Sequence, residues 1–215
     1  MRTVLVTGAR GFVGKGVVDR LARERFSVRG AVRDAVPDRA AMVDMVSVGD
    51  IGPATDWSEA LYGVEVVIHL AGRAHVMREH VADPLTEFRR INALGSQRLA
   101  SMAAHAGVRR LVYVSSIKVN GDVTTDGSFR ATDAPRPKDE YAISKYEAEQ
   151  SLAHIGEQTG LEVVIVRPPL VYGPVVRGNF LSLLEWVARG APLPFPPIAW
   201  LSGRSSASAT RALRT

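Results

Sequence analysis

Thr3-Val4-Leu5-Val6-Thr7-Gly8-Ala9-Arg10-Gly11-Phe12-Val13-Gly14 is the stretch that decides the fold. Its first five residues predict a strand over Thr3–Thr7, and a helical pattern runs from Phe12 to Arg25. The glycines recur between them as Gly8-x-x-Gly11-x-x-Gly14. Missing side chains at that place permit a tight turn, close approach of a pyrophosphate, and packing of helix on strand. The helix N-terminus adds amide groups and the positive end of a dipole, which favour an anion. Three glycines in a loop are often only a turn; the strand before and the helix after shift the expectation to a dinucleotide held by Gly8, Gly11, Phe12, Val13 and Gly14.

Working outward, short β-rich runs keep alternating with longer helical patterns. Strands are expected at Ser27–Val32, Met42–Val48, Val64–Leu70, Arg110–Ser115 and Leu161–Val166. Helices are expected at Pro84–Ala106, with Pro84 suited to a first turn, and at Tyr141–Thr159, closed by Gly160. The apolar strand runs argue that helices cover both sheet faces. The fold class is therefore α/β, a doubly wound parallel sheet of the Rossmann type. Asn120–Pro137 is polar and rich in turn residues, an exposed loop of the kind that borders the ligand crevice.

Residues at the ends of the other strands complete the expected cofactor site. After the second strand, a carboxylate would bind ribose hydroxyls and an arginine a 2′-phosphate. The chain offers Arg33 and Asp34 in succession, so NAD and NADP both stay open. Asp50 and Ile51 follow the third strand, where an adenine edge could be met. Leu70-Ala71-Gly72 ends the fourth, and its small residues either let backbone approach the cofactor or simply turn.

Tyr141 and Lys145, spaced Y-x-x-x-K, share one face of a helix, so the ammonium is expected near the phenol, favouring its ionised form. Tyrosine ionises near 10 and needs such help to act as a base. Ser116, at a strand end, would hold a substrate hydroxyl or carbonyl, or else bond its own backbone. Tyrosine, lysine and a hydride acceptor together suggest alcohol–ketone chemistry.

Composition narrows the classes. The chain has 215 residues, 46% of them hydrophobic, enough for one soluble domain. Its lack of long apolar runs and of a signal-peptide layout predicts no membrane insertion and no export. Absence of cysteine excludes disulfides and thiolate metal sites and favours the cytoplasm. The net charge of +5 comes from scattered arginines, a bias toward anionic ligands rather than nucleic acid. His75 and His80 are five apart without a carboxylate cluster, so no metal site is expected.

Six segments carry a resemblance: TGARGFVG at Thr7–Gly14, HLAG at His69–Gly72, Asn92 in INALGS, VSSIKVNG at Val114–Gly121, YAISK at Tyr141–Lys145 and RPPLVYGP at Arg167–Pro174. In that order, over Met1 to about Pro194, the chain resembles an extended short-chain dehydrogenase/reductase of the nucleotide-sugar epimerase/dehydratase kind. The resemblance implies that Ser116, Tyr141 and Lys145 are catalytic and contact substrate or cofactor, and that Asn92 supports the site. It implies that Pro168 to Val171 packs near the nicotinamide, and that Asn179 and Phe180 grip the diphosphate and uridine of a UDP-sugar. Dehydratases similar to this chain carry an Asp-Glu pair after the serine; here stand Ile117 and Lys118, which disfavours elimination and leaves Lys118 facing substrate. SSIKVNG looks most like bacterial UDP-sugar 4-epimerases and UDP-N-acetylhexosamine 4-dehydrogenases or reductases of surface polysaccharide assembly. Such enzymes often form homodimers. The competing class, a non-catalytic dinucleotide-binding sensor, usually lacks the tyrosine.

Residues 1–190 are expected to form the dinucleotide domain. Pro192, Pro194, Pro196 and Pro197 exclude regular structure, and LSGRSSASATRALRT reads as a disordered tail over 191–215. Family members usually continue for roughly another domain of a hundred residues, so most of the substrate lid is expected to be missing and turnover by this chain alone to be weak or nil.

Overall fold

In the computed structural model, residues 2–34, 43–74, 83–124, 127–173 and 188–189 are described. The chain divides into two compact units, Met1–Gly173 and Pro174–Thr215, and all the elements below lie in the first. The expected boundary at residue 190 and the tail beyond it fall outside the described residues, as do His75, His80, Asn179 and Phe180.

Six strands form one sheet: β1 Thr3–Thr7, β2 Ser27–Val32, β3 Asp44–Ser47, β4 Val66–His69, β5 Arg110–Val114 and β6 Glu162–Val166. Their order is β3-β2-β1-β4-β5-β6 and every pair is parallel. The order reverses between β1 and β4, which opens a crevice at their carboxyl ends. Five helices flank the sheet: α1 Phe12–Arg23, α2 Ser58–Leu61, α3 Pro84–Phe88, α4 Gly95–His105 and α5 Glu140–Thr159.

Successive strand residues face opposite sides, so β1 splits its apolar residues between two cores. Leu5 pairs in register with Val67, and Val67 with Leu111; these three, fully buried, meet Leu99 of α4 and Leu152 of α5. Val4 and Val6 pack on the other face with Val18 of α1 and Val28 of β2. Trp57 and Leu61 extend the first core, and Arg29 fastens that end. Its guanidinium bonds Asp44 at 2.7 Å and donates to the Ala60 and Tyr62 carbonyls at 3.2 and 2.7 Å.

The structure differs from the sequence expectations in three ways. β3 is limited to Asp44–Ser47, and Met42 is outside the described residues. The helix expected over Pro84–Ala106 starts as foreseen, with Asp83 accepting from the Thr86 amide at 3.1 Å and Pro84 in the first turn. It is then broken by a π-helical turn over Arg89–Leu94 before continuing as α4. The apolar run of β6 is not covered on both faces: Val164, Ile165 and Val166 are 41, 37 and 42% exposed, because β6 ends the strand order and has one neighbour. Among the described residues no helix is long and apolar enough to cross a membrane.

Candidate active site

The loop after β1 is built around contacts that only glycine permits. Gly8 adopts φ +65°, and a Cβ there would lie 3.0 Å from the Ala71 nitrogen. Gly11 donates its N–H to the Gly8 carbonyl at 2.8 Å. Gly14 sits beneath this turn, where a Cβ would come within 2.0 Å of the Gly8 oxygen. It therefore sets helix against strand rather than meeting a ligand. Gly14→Ala is expected to destabilise the fold by about 1–3 kcal/mol through overpacking. Gly16→Ala is the control, since a Cβ there meets nothing within 4 Å and alanine suits a helix better; urea unfolding of both variants checks the contrast. No side chain caps α1 at Gly11 and no acidic residue occupies its first turn, which leaves its amide end open to an anion.

Around this loop lies a cleft of about 560 Å³ lined by Gly8, Gly11, Asp34, Asp50, Ile51 and Gly72, among others. The glycine cradle, the open helix end and this volume fit a dinucleotide. Arg33 and Asp50 pair at the rim at 2.9 Å, each with a side chain 73% exposed. The candidate phosphate ligand and the candidate adenine ligand thus hold each other, while Asp34 lines the cleft beside them. Arg10, Arg73 and Ile91 line it too. Sequence reasoning missed these three: Arg10 stood inside the glycine motif, but nothing marked the other two. Phe12 and Val13, at the start of α1, are 39 and 36% exposed and are not among the residues lining the cleft.

Behind the cleft wall runs a buried polar chain. The Thr7 hydroxyl accepts from the Leu70 and Ala71 amides, both at 3.1 Å, and lies 2.7 Å from His69 Nδ1. With its oxygen taken by two donors, Thr7 gives its own proton to Nδ1. The imidazole is then the Nε2–H tautomer, donating to Ser96 Oγ at 2.9 Å. Burial, with the nearby Lys145 charge as a second cause, pushes His69 down to about 3.

Ser116, Tyr141 and Lys145 come from two adjoining elements. Ser116 leaves β5 and caps a single 3-10 turn, Ile117–Val119, its hydroxyl accepting from the Lys118 amide at 3.3 Å. Asp139 caps α5 by accepting from the Ala142 amide at 2.7 Å, and its other oxygen pairs with Lys118. Lys118 thus binds the cap of the helix carrying Tyr141. Lys145 is 4% exposed and its Nζ sits 4.2 Å from the centre of the Tyr113 ring. Burial holds it down to about 7, with Glu149 acting the other way.

Tyr141 departs from the expectation that its phenol is eased toward ionisation. Burial pushes it above the usual tyrosine range, a hydrogen bond with Ser116 opposes this, and the Asp139 carboxylate adds to it. The reason is that Lys145 lies over Tyr113 and is itself desolvated, so its charge is not spent on the phenol.

Asn92, on the π turn, spends its amide elsewhere than on the cleft. Its Oδ1 accepts from the Arg73 amide at 2.8 Å, and its Nδ2 donates to the Arg73 carbonyl and to Ser144 Oγ, both at 3.0 Å. It ties the strand-end segment to α5 as a positioning residue. The two meet at Gly72, where a Cβ would stand 2.9 Å from Asn92 Oδ1 and 3.9 Å from Lys145 Nζ. Lys145 is thereby placed at the inner edge of the cleft. The Pro168 carbonyl accepts from the Ile117 amide at 3.0 Å, and Val171 is 41% exposed. Among the described residues no group of three or more histidine and acidic side chains could hold a metal ion.

A UDP-glucose 4-epimerase of Vibrio cholerae is 43% identical over 199 residues, which cover 92% of this chain and 60% of that protein. A dTDP-D-glucose 4,6-dehydratase of Mus musculus is 30% identical over 86% of this chain and 56% of its own length. The solved structure of MoeE5 in complex with UDP-glucuronic acid and NAD superposes with a TM-score of 0.74 at 32% identity, covering 89% of this chain and 63% of that one. The chain thus spans about three fifths of these relatives. The model of the NAD dependent epimerase/dehydratase family matches residues 4–199, and the chain belongs to that family.

Proposed function

We propose that this chain carries the NAD site and the proton-transfer residues of an enzyme acting on the C4 hydroxyl of a UDP-sugar, as a 4-epimerase or as a 4-dehydrogenase or reductase. The observation that carries the reading is the junction at Gly72, where the cleft wall meets Lys145 Nζ. It puts the end of a dinucleotide cleft beside the serine–tyrosine–lysine set. The 43% identity to a UDP-glucose 4-epimerase supports the sugar class. The Ile117-Lys118 pair, lacking acids after the serine, supports oxidation and reduction over elimination.

Gly8, Gly11 and the amide end of α1 would hold the pyrophosphate, and Asp34 a ribose hydroxyl. NAD, when bound, supplies the hydride acceptor. Ser116 orients the C4 oxygen by hydrogen bond, and Tyr141 Oη takes the hydroxyl proton as the carbon is oxidised and returns it on reduction. Lys145 contributes charge at the cleft edge. The role in surface polysaccharide assembly rests on the likeness of SSIKVNG alone.

The test mixes purified chain with NAD and UDP-glucose, UDP-glucuronic acid or a UDP-N-acetylhexosamine. Nicotinamide fluorescence reports reduction, and chromatography of the sugar nucleotides reports epimers. UDP-sugar-dependent reduction or epimer formation is expected. Tight NAD binding with neither outcome for any UDP-sugar would leave a dinucleotide-binding protein instead.

A further inference from the structure

Lys145 and Glu149 stand one turn apart on α5, and both are nearly sealed from solvent, at 4 and 3% exposure. Opposite charges at this spacing on a helix ordinarily pair. Here the carboxylate is taken by another cation. Arg167, just past β6, donates from Nε to both Glu149 oxygens at 3.0 and 3.2 Å and from Nη2 at 2.5 Å. Its Nη1 donates to Asn120 Oδ1 at 3.1 Å, and Asn120 is itself buried and bonded to the Arg130 carbonyl. The guanidinium is thus fixed on two sides, and Lys145 turns to the Tyr113 ring and the Gly72 edge.

We propose that Arg167 is a positioning residue that occupies Glu149 so that the carboxylate does not capture Lys145, leaving the lysine Nζ at the cleft edge. A fork that matches a carboxylate outcompetes a single ammonium for it. The proposal rests on the functional reading above only for the use made of Lys145; the contact itself is a property of the bare chain. The groups facing Lys145 are Tyr113 from β5, His69 from β4, and Tyr141 and Glu149 one turn before and after it on α5. Glu149 is the anion among them that supports the ammonium. Freed from Arg167, it would hold the lysine's proton more firmly and draw Nζ off the cleft.

The experiment is a pH titration of side-chain ¹³C-labelled lysines by NMR in the 215-residue chain, which has four lysines; the signal absent from Lys145→Gln identifies the one of interest. In Arg167→Met the Lys145 midpoint is expected to rise by at least about one pH unit, as an unshielded buried carboxylate demands. NAD affinity is expected to fall by about tenfold or more, each tenfold corresponding to 1.4 kcal/mol. In Glu149→Gln with Arg167→Met the midpoint is expected to drop below that of the unaltered chain and NAD affinity to recover to within about threefold, since a buried ion pair is often replaceable by neutral groups.

A purely structural pair gives another pattern: a Lys145 midpoint unmoved by Arg167→Met, or a double variant no better than the single one, overturns the proposal. If Arg167→Met does not fold, Glu149→Gln decides. Its Lys145 midpoint must fall, and an unmoved midpoint in that folded variant overturns the proposal equally. The titration needs no substrate, so failure of the UDP-sugar reading would leave its outcome standing.

Discussion

Replacing Tyr141 by phenylalanine is expected to slow UDP-sugar-dependent reduction of bound NAD by about 10²–10⁴-fold, the usual worth of a positioned acid or base. The phenol is the single atom group removed. Its ring packs edge-on against Phe88, with centroids 6.1 Å apart at 66°, and phenylalanine keeps that contact. Stability should therefore change by less than about 1.5 kcal/mol, as for other volume-conserving exchanges. The measurement is a single-turnover progress curve with protein in excess, paired with urea unfolding. Retention of the native rate within tenfold, in a folded variant, would remove Tyr141 from the chemistry. The upward push on Tyr141 adds a second arm: the base form is scarce at neutral pH in the bare chain. A positive nicotinamide beside the phenol favours its ionised form, so its ultraviolet ionisation midpoint should fall when NAD is added.

The second large effect is acid lability centred on His69. Its ordinary value is 6.5, and in the folded chain it is pushed down to about 3. Between those values the unfolded chain binds a proton that the folded chain refuses. The stabilisation is fully present above about pH 6.5 and is lost as pH falls, at roughly 1.4 kcal/mol per pH unit. At pH 5 the loss is about 2 kcal/mol, and near pH 3 it reaches roughly 4–5 kcal/mol. The chain of bonds explains the refusal. A proton on Nδ1 would confront the Thr7 hydroxyl with a third donor besides the Leu70 and Ala71 amides. The cleft wall would then have to open. His69→Gln, which keeps an acceptor and a donor in line, is expected to flatten the difference in unfolding free energy between pH 7 and pH 5. Parallel pH curves for the two proteins would sink this account, since acidic side chains elsewhere act on both alike.

Most of the sheet and the glycine loop were legible because local rules suffice for them. Thr3–Thr7 needs only its own β-prone residues, and Gly8 and Gly14 announce contacts in which a Cβ has no room. The order of Ser116, Tyr141 and Lys145 after that loop was enough to bring them to one end of the sheet. What stayed hidden depends on partners far apart in sequence. Nothing near His69 tells that Thr7 and Ser96 will flank it, and the Glu149–Arg167 pair joins two separate elements. The helical spacing of Tyr141 and Lys145 suggested that they act on each other, yet Tyr113, one strand inward, offered the ammonium a closer face. The four-residue α2 and the π turn carry no glycine or proline at their ends and match ordinary loop and helix patterns.

That π turn makes chain length a strict requirement where the sequence looks most permissive. A regular helix advances about 100° per residue, and the wide turn over Arg89–Leu94 absorbs one extra residue within an otherwise continuous helix. Delete one position there and every residue of α4 moves back a step. Gln97 would take the place of Ser96 beside His69, and Ala100 that of fully buried Leu99. The segment can accept changes of residue far more easily than a change of count, so in comparisons of this chain with its relatives a gap opposite residues 89–94 would mark a differently built cleft.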